Sequence, residues 1–420
     1  MKSGRRQSPA LPELLAPAGN LEKLRVAVHY GADAVYLGGK SLSLRQKAGN
    51  FSLEEMEAAR DFLRPRGVKF YVTVNIFAHN DDFASFDDYL SQLDSLGVDA
   101  VIVSDPGIFA RVRSLLPRMP IHLSTQANVT NLYAARFWLE LGVRRLNLAR
   151  ELSFAEIQGI RAGVVGELEV FAHGALCISY SGRCMLSNYL TGRDANRGEC
   201  AHPCRYRYAL VEEKRPGQYF PVEEDERGSY IFNAKDLCLM PRLPLLVASG
   251  IDALKIEGRM KSVYYAGSVT RVYRAALDYL AALPVEAWAE PEHIVIPEEF
   301  MAEVWRTGTR GASENFFAGR PGPEEMLYDT TRAPQQYEPV ALVREAGKEP
   351  LVEARNRLNV GDEIEYLPPG LAVVPARVTA IIGDAGDNLP ALHAGQTARL
   401  LTQPPLSDVM EYGLFRRRVA

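Results

Sequence analysis

The sequence lacks long apolar runs. No stretch within its 420 residues approaches the roughly 20 apolar residues that a membrane-spanning helix needs. The first residues, 1–15, include basic side chains but no apolar core long enough for a signal peptide. These absences argue against transmembrane and exported proteins, and the sequence predicts a cytoplasmic protein without membrane association.

Basic residues are not in excess either. The chain carries 48 Lys and Arg against 52 Asp and Glu, which gives a formal net charge of −4. A chain with this balance has no overall attraction for nucleic acid, and nothing in it indicates DNA binding. Any contact with RNA therefore depends on local basic patches.

Cysteine is scarce, and the few cysteines are clustered. All five lie between Cys177 and Cys238, spaced as Cys177-x6-Cys184-x15-Cys200-x3-Cys204 and followed by Cys238. An odd number of cysteines cannot pair completely, and a reducing compartment disfavours disulfides. The clustering therefore points to metal or redox chemistry.

The spacing of these cysteines favours an iron–sulfur cluster. Structural zinc sites usually draw their ligands from close cysteine pairs, and only Cys200 and Cys204 approach that spacing. Scattered thiolates from one long segment suit a cluster better, with zinc and inert buried thiols as the alternatives. We favour Cys177, Cys184 and Cys200 as ligands, with Cys238 or Cys204 as the fourth.

A unit of amphipathic helix, glycine and β-forming run recurs in the first part of the chain. Its glycines are Gly31, Gly67, Gly97, Gly142 and Gly250, and each suits a left-handed helix C-cap before a strand. Ser52 to Glu55 and Ser153 to Glu156 have capping-box spacing. Adding the runs Glu13–Ala18, Ile121–Ala127 and Leu168–Gly174 brings the predicted strands to eight. This alternation predicts an α/β fold, a (β/α)8 TIM-like barrel, with an open doubly wound sheet as the alternative.

One connection in this alternation is unusually long. Between the seventh predicted strand, Leu168–Gly174, and the eighth, Ala253–Gly258, lie nearly eighty residues that include every cysteine. A loop of that length inside a compact domain is usually functional. We predict a TIM-like catalytic barrel over 1–285 with a cysteine-rich insertion at 175–235, a linker or irregular segment over 286–335, and a small β-barrel domain over 336–420.

Polar side chains lie at the ends of most predicted strands. They are Asn75, Asp105, Gln126, Arg150, Glu151, His173, Glu257 and Arg259. In a TIM barrel the carboxyl ends of the strands surround one mouth, where such side chains bind anions, orient a base or transfer protons. The alternative is that part of this ring forms ordinary helix caps and ion pairs at the rim.

His173 lies four residues before Cys177, so a cysteine-protease dyad has to be considered. The other interpretations are a cluster neighbour, a proton donor and a hydrogen-bonded rim histidine. The sequence contains neither a His-Glu-x-x-His zinc helix nor a Gly-x-Ser-x-Gly elbow. Sequence support for proteolysis is therefore thin.

Arginine and tyrosine are interleaved in the cysteine-rich insertion. The residues are Arg183, Arg193, Arg197, Arg205 and Arg207 with Tyr180, Tyr189, Tyr206 and Tyr208, and a further basic run, Arg416-Arg417-Arg418, lies near the end of the chain. Arginine beside aromatic rings can hold phosphates while the rings stack on unpaired bases. Together with the small β-barrel, these clusters favour RNA as a partner.

Several motifs resemble those of a known family. The segment 169–187, EVFAHGALCISYSGRCMLS, closely resembles the signature of the collagenase-like peptidase family. Supporting matches are PELLAPAG at 12–19, GADAVY at 31–36, RDANRG at 193–198, KDL at 235–237 and KIEGRMK at 255–261. Many members of this family are RNA-hydroxylation proteins, and the likeness is greatest to the tRNA-modifying type.

The resemblance implies prephenate-dependent hydroxylation of the tRNA wobble uridine to 5-hydroxyuridine. Its alternatives are hydroxylation of a 23S rRNA cytidine, oxygen-independent hydroxylation of ubiquinone precursors, and peptidase activity. It also implies a [4Fe–4S] cluster with Cys177, Cys184 and Cys200 among its ligands, while the fourth ligand stays open between Cys204 and Cys238. The partners so implied are tRNA, or rRNA as the alternative, and a subunit from a related family.

The positions of four strand-end residues suggest roles in such a reaction. We expect His173 and Glu257 to transfer protons. We expect Arg150 or Arg259 to hold an anionic co-substrate such as prephenate.

Overall fold

The computed structural model describes residues 8–40, 42–44, 49–177, 179–205, 209–211, 219–221, 233–308, 311–321, 326–327 and 335–419. Across these residues, none of the helices combines the length and the apolarity that crossing a membrane requires.

A closed ring of parallel strands forms the first domain, and strand labels run along the whole chain. The barrel strands are β1 (Glu13–Pro17), β2 (Ala34–Gly38), β3 (Lys69–Val74), β4 (Ala100–Val103), β5 (Ile121–Leu123), β6 (Arg145–Asn147), β7 (Glu167–Gly174) and, after four strands of the connection, β12 (Ala253–Ile256). Each pairs in parallel with the next, and β12 pairs with both β7 and β1, which closes the ring. The predicted TIM-like barrel is therefore confirmed, and the open sheet is excluded.

Helices follow the barrel strands as the repeat predicts. They are α1 (Leu21–His29), α2 (Leu53–Leu63), α3 (Phe86–Leu96), α4 (Pro106–Leu115), α5 (Leu132–Glu140), α6 (Phe154–Gly163), α8 (Leu243–Ala248) and α9 (Val263–Ala281), with α7 (Leu186–Thr191) in the insertion. Both predicted capping boxes are present, at Ser52 with Glu55 and at Ser153 with Glu156. All five predicted glycines have positive φ, between 66° and 90°. A left-handed residue at these positions lets the chain turn from helix to strand within a few residues.

The strand cores are buried on both faces, as parallel strands covered by helices must be. One cluster fills the layer between strands and helices and includes Val35, Val72 and Val101. A separate cluster, with Leu15, Tyr36 and Ile102, fills the inside of the barrel. Successive residues along a strand therefore point alternately to the helices outside the barrel and to its interior.

The long connection between β7 and β12 contributes further short strands. They are β8 (Ala209–Val211), β9 (Tyr219–Pro221), β10 (Asn233–Ala234) and β11 (Asp236–Cys238). Strand β11 runs antiparallel to the end of β7, with Cys238 opposite His173. The insertion therefore leaves the barrel at the carboxyl end of β7, and its last strand, β11, returns beside that same end.

The segment expected to be irregular contains ordered elements. Helix α10 (Glu298–Thr307) lies within it and packs on α9, and the short strands β13 (Ala312–Ser313) and β14 (Met326–Leu327) follow. The expectation of an irregular segment is therefore wrong for 298–307. The helix begins directly after Pro297, and its buried side chains, Phe300, Glu303, Val304 and Thr307, recur at helical intervals.

The last part of the chain forms a closed barrel of antiparallel strands, as predicted. Its strands are β15 (Tyr337–Glu345), β16 (Leu351–Ala354), β18 (Glu363–Leu367), β19 (Val374–Ile382), β21 (Thr397–Gln403) and β22 (Leu414–Arg418), with β17 (Leu358–Asn359) pairing β20 (Ala391–Leu392) beside it. The two domains share an apolar cluster that includes Tyr30, Tyr264 and Leu414. They also share a buried group of charges, the interdomain cluster: Arg271, Glu303 and Arg416.

Candidate active site at the mouth of the barrel

A cavity of about 120 Å³ opens where the carboxyl ends of the barrel strands meet the insertion. We call it the mouth cavity. Its polar lining from the barrel consists of Tyr36, Thr73, Asn75, Ser124, Thr125, Gln126, Asn147, Arg150, Lys255, Glu257 and Arg259. Its lining from the insertion includes Tyr180, Asn196, His202 and four cysteines. The cavity therefore lies where TIM-barrel enzymes carry their active sites.

The four cysteines at the mouth cavity are Cys177, Cys184, Cys200 and Cys204. Cys177 is exposed and the other three are partly buried. The backbone N–H of His202 donates to Sγ of Cys200 at 3.4 Å, the kind of contact that stabilises a thiolate. The insertion thus brings together cysteines that are up to 27 residues apart in sequence.

Cys238 lies elsewhere. It is buried on β11, and its Sγ is 3.7 Å from the hydroxyl of Tyr273 on α9. Burial raises the pKa of this thiol, so the neutral form is favoured. Because Cys238 is not part of the cavity lining and Cys204 is, Cys204 is the better match for a fourth ligand.

The donor set fits a cluster better than a single ion. No three His, Cys, Asp or Glu side chains within the described ranges converge closely enough to hold one metal ion. A [4Fe–4S] cluster takes one thiolate at each iron, so its ligands surround it without converging on a point. Four thiols around one cavity at the end of a barrel match that requirement.

Two strand-end amides are joined to each other beside the cavity. Asn75 donates from Nδ2 to Oε1 of Gln126 at 2.7 Å, and Gln126 donates back from Nε2 to the carbonyl of Asn75 at 3.0 Å. Ser124 also donates to Oε1 of Gln126, at 2.7 Å. These contacts hold both amides in fixed orientations.

Arg259 is buried, and its guanidinium is occupied by the protein. Nη1 donates to Ser43 Oγ and Thr73 Oγ1, each at 3.0 Å, and Nη2 donates to the carbonyl of Leu44. These bonds fix the short described segment 42–44 against the barrel. The structure therefore gives Arg259 a positioning role at the wall of the cavity.

Among the residues that the structure describes, Glu257 carries the only carboxylate in the lining of the cavity. The hydroxyl of Tyr36 lies 3.3 Å from its Oε2 and 3.0 Å from the carbonyl of Ile256. This places a carboxylate with a hydroxyl neighbour at the cavity wall, as the sequence predicts.

The floor of the cavity carries a buried charged pair. Lys255 Nζ lies 2.9 Å from Oε1 of Glu169, and both side chains are buried. Below this pair, Arg145 bonds Glu13 at 2.6 Å and lies 3.6 Å from Glu169. Burial opposes the charged form of Glu13, but the bonds from Arg145 and Lys69 hold its pKa below the ordinary value. An ion-pair layer therefore closes the barrel beneath the cavity.

Arg150 and Asn147 complete the floor. The guanidinium of Arg150 lies 3.8 Å from the ring centre of Phe171, and Nη1 donates to the carbonyl of Ala175 at 2.9 Å. Arg150 Nε and Asn147 Oδ1 are buried without a hydrogen-bond partner among the described residues. Unsatisfied buried polar atoms are costly in a folded protein, so a ligand or water that reaches these two gains hydrogen bonds that the described residues do not supply.

Three predicted mouth residues lie outside the cavity lining. Asp105 caps α4, accepting from the N–H groups of Gly107 and Ile108, and Glu151 is partly buried, which raises its pKa. His173 lies beside Tyr265 and Tyr273 of α9, with Nδ1 3.4 Å from the Tyr273 hydroxyl. Burial lowers the pKa of His173 to about 4, which keeps the ring neutral.

Of the tyrosine and arginine residues of the insertion, Tyr180 is the one that the structure places in the lining of the mouth cavity, among the described residues. Tyr180 and Tyr189 are exposed, and Tyr180 lines the cavity. Arg197 is paired with Asp82 at 3.0 Å, and Arg183 lies 5.9 Å from the ring centre of Phe77. The side chain of Arg205 and all of Tyr206, Arg207 and Tyr208 lie outside the described residues. Of the C-terminal run, Arg416 is buried in the interdomain cluster and is not a nucleic-acid contact.

Sequence reasoning missed Lys255, Asn147 and Glu169. Lys255 and Glu169 stand inside their strands, whereas the sequence pattern located only strand ends. Asn147 is the last residue of β6, but the predicted strand ran on to Arg150, so its end was misplaced. The available signal was a charged or amide side chain within an otherwise apolar buried strand, as in Ala253–Ile256.

Comparisons with known proteins agree with this architecture. A family model described as Peptidase family U32 matches residues 19–327, and one described as Peptidase family U32 C-terminal domain matches residues 335–416. The tRNA hydroxylation protein P1 of Bacillus subtilis (strain 168) is 40% identical over 392 residues, which cover 93% of this chain and 91% of that protein.

Two further relatives come from Escherichia coli (strain K12). Its tRNA hydroxylation protein P is 36% identical over 401 residues and covers 85% of this chain and 86% of its own length. Its 23S rRNA 5-hydroxycytidine synthase is 34% identical over 314 residues, which cover 74% of this chain and 46% of that protein.

Proposed function

The chain belongs to peptidase family U32, and on that premise we propose that it hydroxylates the wobble uridine of tRNA at C5. We further propose an iron–sulfur cluster held by the mouth cysteines and prephenate as the co-substrate. The observation that carries the proposal is the meeting of four cysteines with Lys255, Arg150 and Glu257 around one cavity at the carboxyl ends of the barrel strands. Two relatives similar over most of their length are named as tRNA hydroxylation proteins, which supports tRNA as the substrate.

Cys177, Cys184, Cys200 and Cys204 are the proposed cluster ligands. This set replaces the predicted alternative with Cys238, whose protonated, buried thiol bonds to Tyr273. A cluster bound by these residues supplies one-electron chemistry beside the substrate.

The mouth cavity is far too narrow for paired RNA. A base enters such a site only after it leaves the stack, which an anticodon loop allows at small cost. Exposed Tyr180 in the cavity lining and exposed Tyr189 on α7 provide stacking surfaces, and Arg183 and Arg193 of the same segment carry positive charge.

Hydroxylation of C5 is a two-electron oxidation: the C5–H bond breaks, a C–O bond forms to an oxygen donor, two electrons pass to an electron acceptor, and the C5 proton goes to a base. We assign this proton to Glu257, whose carboxylate lines the cavity. His173, the other predicted proton carrier, is buried against α9 and is dropped from this role. Arg150 keeps its predicted role of holding the anionic co-substrate.

Nucleoside mass spectrometry of fractionated tRNA and rRNA, from cells with and without the gene, tests the proposal. We expect 5-hydroxyuridine derivatives to disappear from tRNA and to return with the wild-type gene but not with Cys177→Ala or Cys204→Ala. Cys238→Ala is the matched control and is expected to restore both the modification and bound iron. Full modification by an iron-free Cys177→Ala protein would contradict the scheme.

The same experiment separates the alternatives. Loss of hydroxycytidine from rRNA instead would make the chain an rRNA enzyme, for which its 34% identical relative is the precedent. Unchanged RNA, with altered quinone levels in anaerobic cells or iron-independent cleavage of denatured collagen, would identify a quinone-hydroxylation factor or a peptidase. Activity of the purified chain on tRNA with prephenate would show that no partner subunit is needed.

A further inference from the structure

We propose that Lys255 and Asn147 form a carboxylate-binding subsite on the floor of the mouth cavity, which a small carboxylate occupies before an RNA base covers it. The inference rests on the proposed function for the identity of the two ligands. It assigns a site, and an order of binding, to residues that sequence reasoning did not single out.

Lys255 supplies the positive charge of this subsite. Its ammonium carries three N–H donors. Among the described residues, it donates one hydrogen bond, to Oε1 of Glu169 at 2.9 Å. The rings of Tyr36 and Phe171 lie 4.4 and 5.5 Å from Nζ and shield it from water. A desolvated cation with unused donors is a strong partner for a carboxylate.

Asn147 supplies a polar group that the protein leaves unused. The residue is 2% exposed, lines the cavity, and its Oδ1 has no partner within the described chain. An amide can turn either its oxygen or its NH2 toward a ligand, so it can donate to a carboxylate oxygen beside Lys255. Arg150 also lies over the ring of Phe171, and its buried donor Nε has no partner in the described chain. Among the described residues, the floor therefore carries unpartnered donors, from Lys255 and Arg150, beside two unpartnered acceptors, Asn147 Oδ1 and Glu169 Oε2. The cationic donors call for a ligand that brings acceptors.

Arg259 does not serve this subsite. Its described donors go to Ser43, Thr73 and the carbonyl of Leu44, all part of the protein. The anion-binding role predicted for either Arg150 or Arg259 therefore moves to Lys255, Asn147 and Arg150.

The depth of the subsite sets the order of binding. Lys255 is 4% exposed, and below it the layer of Glu169, Arg145 and Glu13 closes the barrel. Entry is therefore from the mouth, past the cysteines that line it. A base inserted at the mouth would close that route, so the carboxylate has to bind first.

Equilibrium binding of prephenate to the full-length, cluster-loaded protein without RNA tests the subsite. We expect the wild type to bind prephenate, which carries two carboxylates, more tightly than phenylpyruvate, which carries one. The double variant Lys255→Met/Glu169→Gln removes the cation without leaving a buried carboxylate unpaired. It is expected to weaken prephenate binding at least about tenfold, the equivalent of one charged hydrogen bond. Asn147→Asp should weaken it similarly, because it adds a negative charge at the floor.

Lys69→Met is the matched control. Lys69 also extends from a barrel strand and pairs with a glutamate, Glu13, at 3.0 Å, but it lies at the opposite end of the barrel. Its loss is expected to leave prephenate affinity unchanged. Equal prephenate affinity in all the variants, or no binding by the wild type, would overturn the subsite. Weaker tRNA binding with unchanged prephenate affinity would show that Lys255 and Asn147 bind the RNA base instead.

The order of binding has its own measurement. Preincubation with saturating substrate tRNA is expected to slow prephenate association, whereas prephenate should leave tRNA association unchanged. Equal prephenate association rates with and without tRNA would overturn the order. Failure of the proposed function would appear separately, as unchanged nucleosides in cells despite prephenate binding through Lys255.

Discussion

Two buried groups of charged side chains in this protein differ in how completely they are paired. In the interdomain cluster, Glu303 accepts from Arg271 at 3.0 Å and from Arg416 at 2.9 Å through both oxygens, and Arg306 adds a further bond. At the floor of the mouth cavity, Lys255 is paired with Glu169, but Asn147 Oδ1 and Arg150 Nε have no partner in the described chain.

This difference indicates that the interdomain cluster is structural, whereas the floor of the mouth cavity is a binding site. A buried charge is tolerated when its neighbours satisfy it, and the interdomain cluster satisfies its charges internally. The mouth cavity leaves donors and acceptors open, which lowers stability until a ligand supplies the missing bonds. Burial and charge alone therefore do not identify a site; a cavity lined by hydrogen-bonding groups that the described residues leave unfilled does.

Breaking the interdomain cluster is expected to have the largest effect on stability. Glu303→Gln keeps the shape of the side chain but leaves two fully buried arginines without their shared carboxylate. We expect the free energy of unfolding, measured by urea titration, to fall by about 3–5 kcal/mol. Prephenate affinity should not change, because the cluster lies between the domains and not at the mouth.

Glu345→Gln is the surface control for that experiment. Glu345 pairs with Arg399 at 2.7 Å, but both side chains are about half exposed. Its loss should cost at most about 1 kcal/mol. A loss from Glu303→Gln no greater than this would remove the distinction between a satisfied structural cluster and an open site.

Local signals made most of the fold predictable. Glycines with positive φ after helices, capping boxes and β-forming runs are short-range features, and they located all eight barrel strands. The run 121–127 is a strand only as far as Leu123, because 125–127 turns into a 3-10 helix. Helix α10 was missed because proline and acidic residues before it suggest a linker, while its burial depends on distant contacts with α9.

His173 is buried and lies outside the lining of the mouth cavity. Burial lowers the pKa of His173 to about 4, below the usual value of about 6.5, so the unfolded chain takes up this proton first as the pH falls. The stabilisation is complete above the unfolded pKa and is lost between about pH 6.5 and 4, by about 3 kcal/mol. His173→Gln should remove this part of the pH dependence in urea titrations from pH 7 to 4. An unchanged pH profile, or loss of prephenate binding, would return His173 to the site.

The site was only partly predictable from sequence. Asn75, Gln126, Arg150, Glu257 and Arg259 line the mouth cavity as their strand-end positions suggest. His173 does not, because the pairing of β7 with β12 shifts register between Lys255 and Ile256 and turns His173 toward α9. Such an irregularity comes from closure of the barrel and has no local signature. The choice between Cys204 and Cys238 likewise depends on where the chain returns after the insertion.

The smallest expected effect on stability is at Asn147, and it tests most directly whether the floor of the mouth cavity is incompletely paired. Asn147→Leu replaces a buried amide, whose Oδ1 is unpartnered, with an apolar side chain of similar size. If the mouth cavity is held open for a ligand, this change should raise the free energy of unfolding of the ligand-free protein by about 1 kcal/mol. The same variant should lose prephenate affinity, so that stability and binding move in opposite directions.

Gln126→Leu distinguishes an unsatisfied amide from a satisfied one. Gln126 is also buried at the mouth, but its amide bonds to Asn75 and Ser124, so the same substitution should lower the free energy of unfolding by about 1–3 kcal/mol. Opposite signs for the two variants in parallel urea titrations would mean that the protein gives up stability at Asn147 in order to bind. A loss at both positions would mean instead that a water molecule already satisfies Asn147, and the floor would then be as complete as the interdomain cluster.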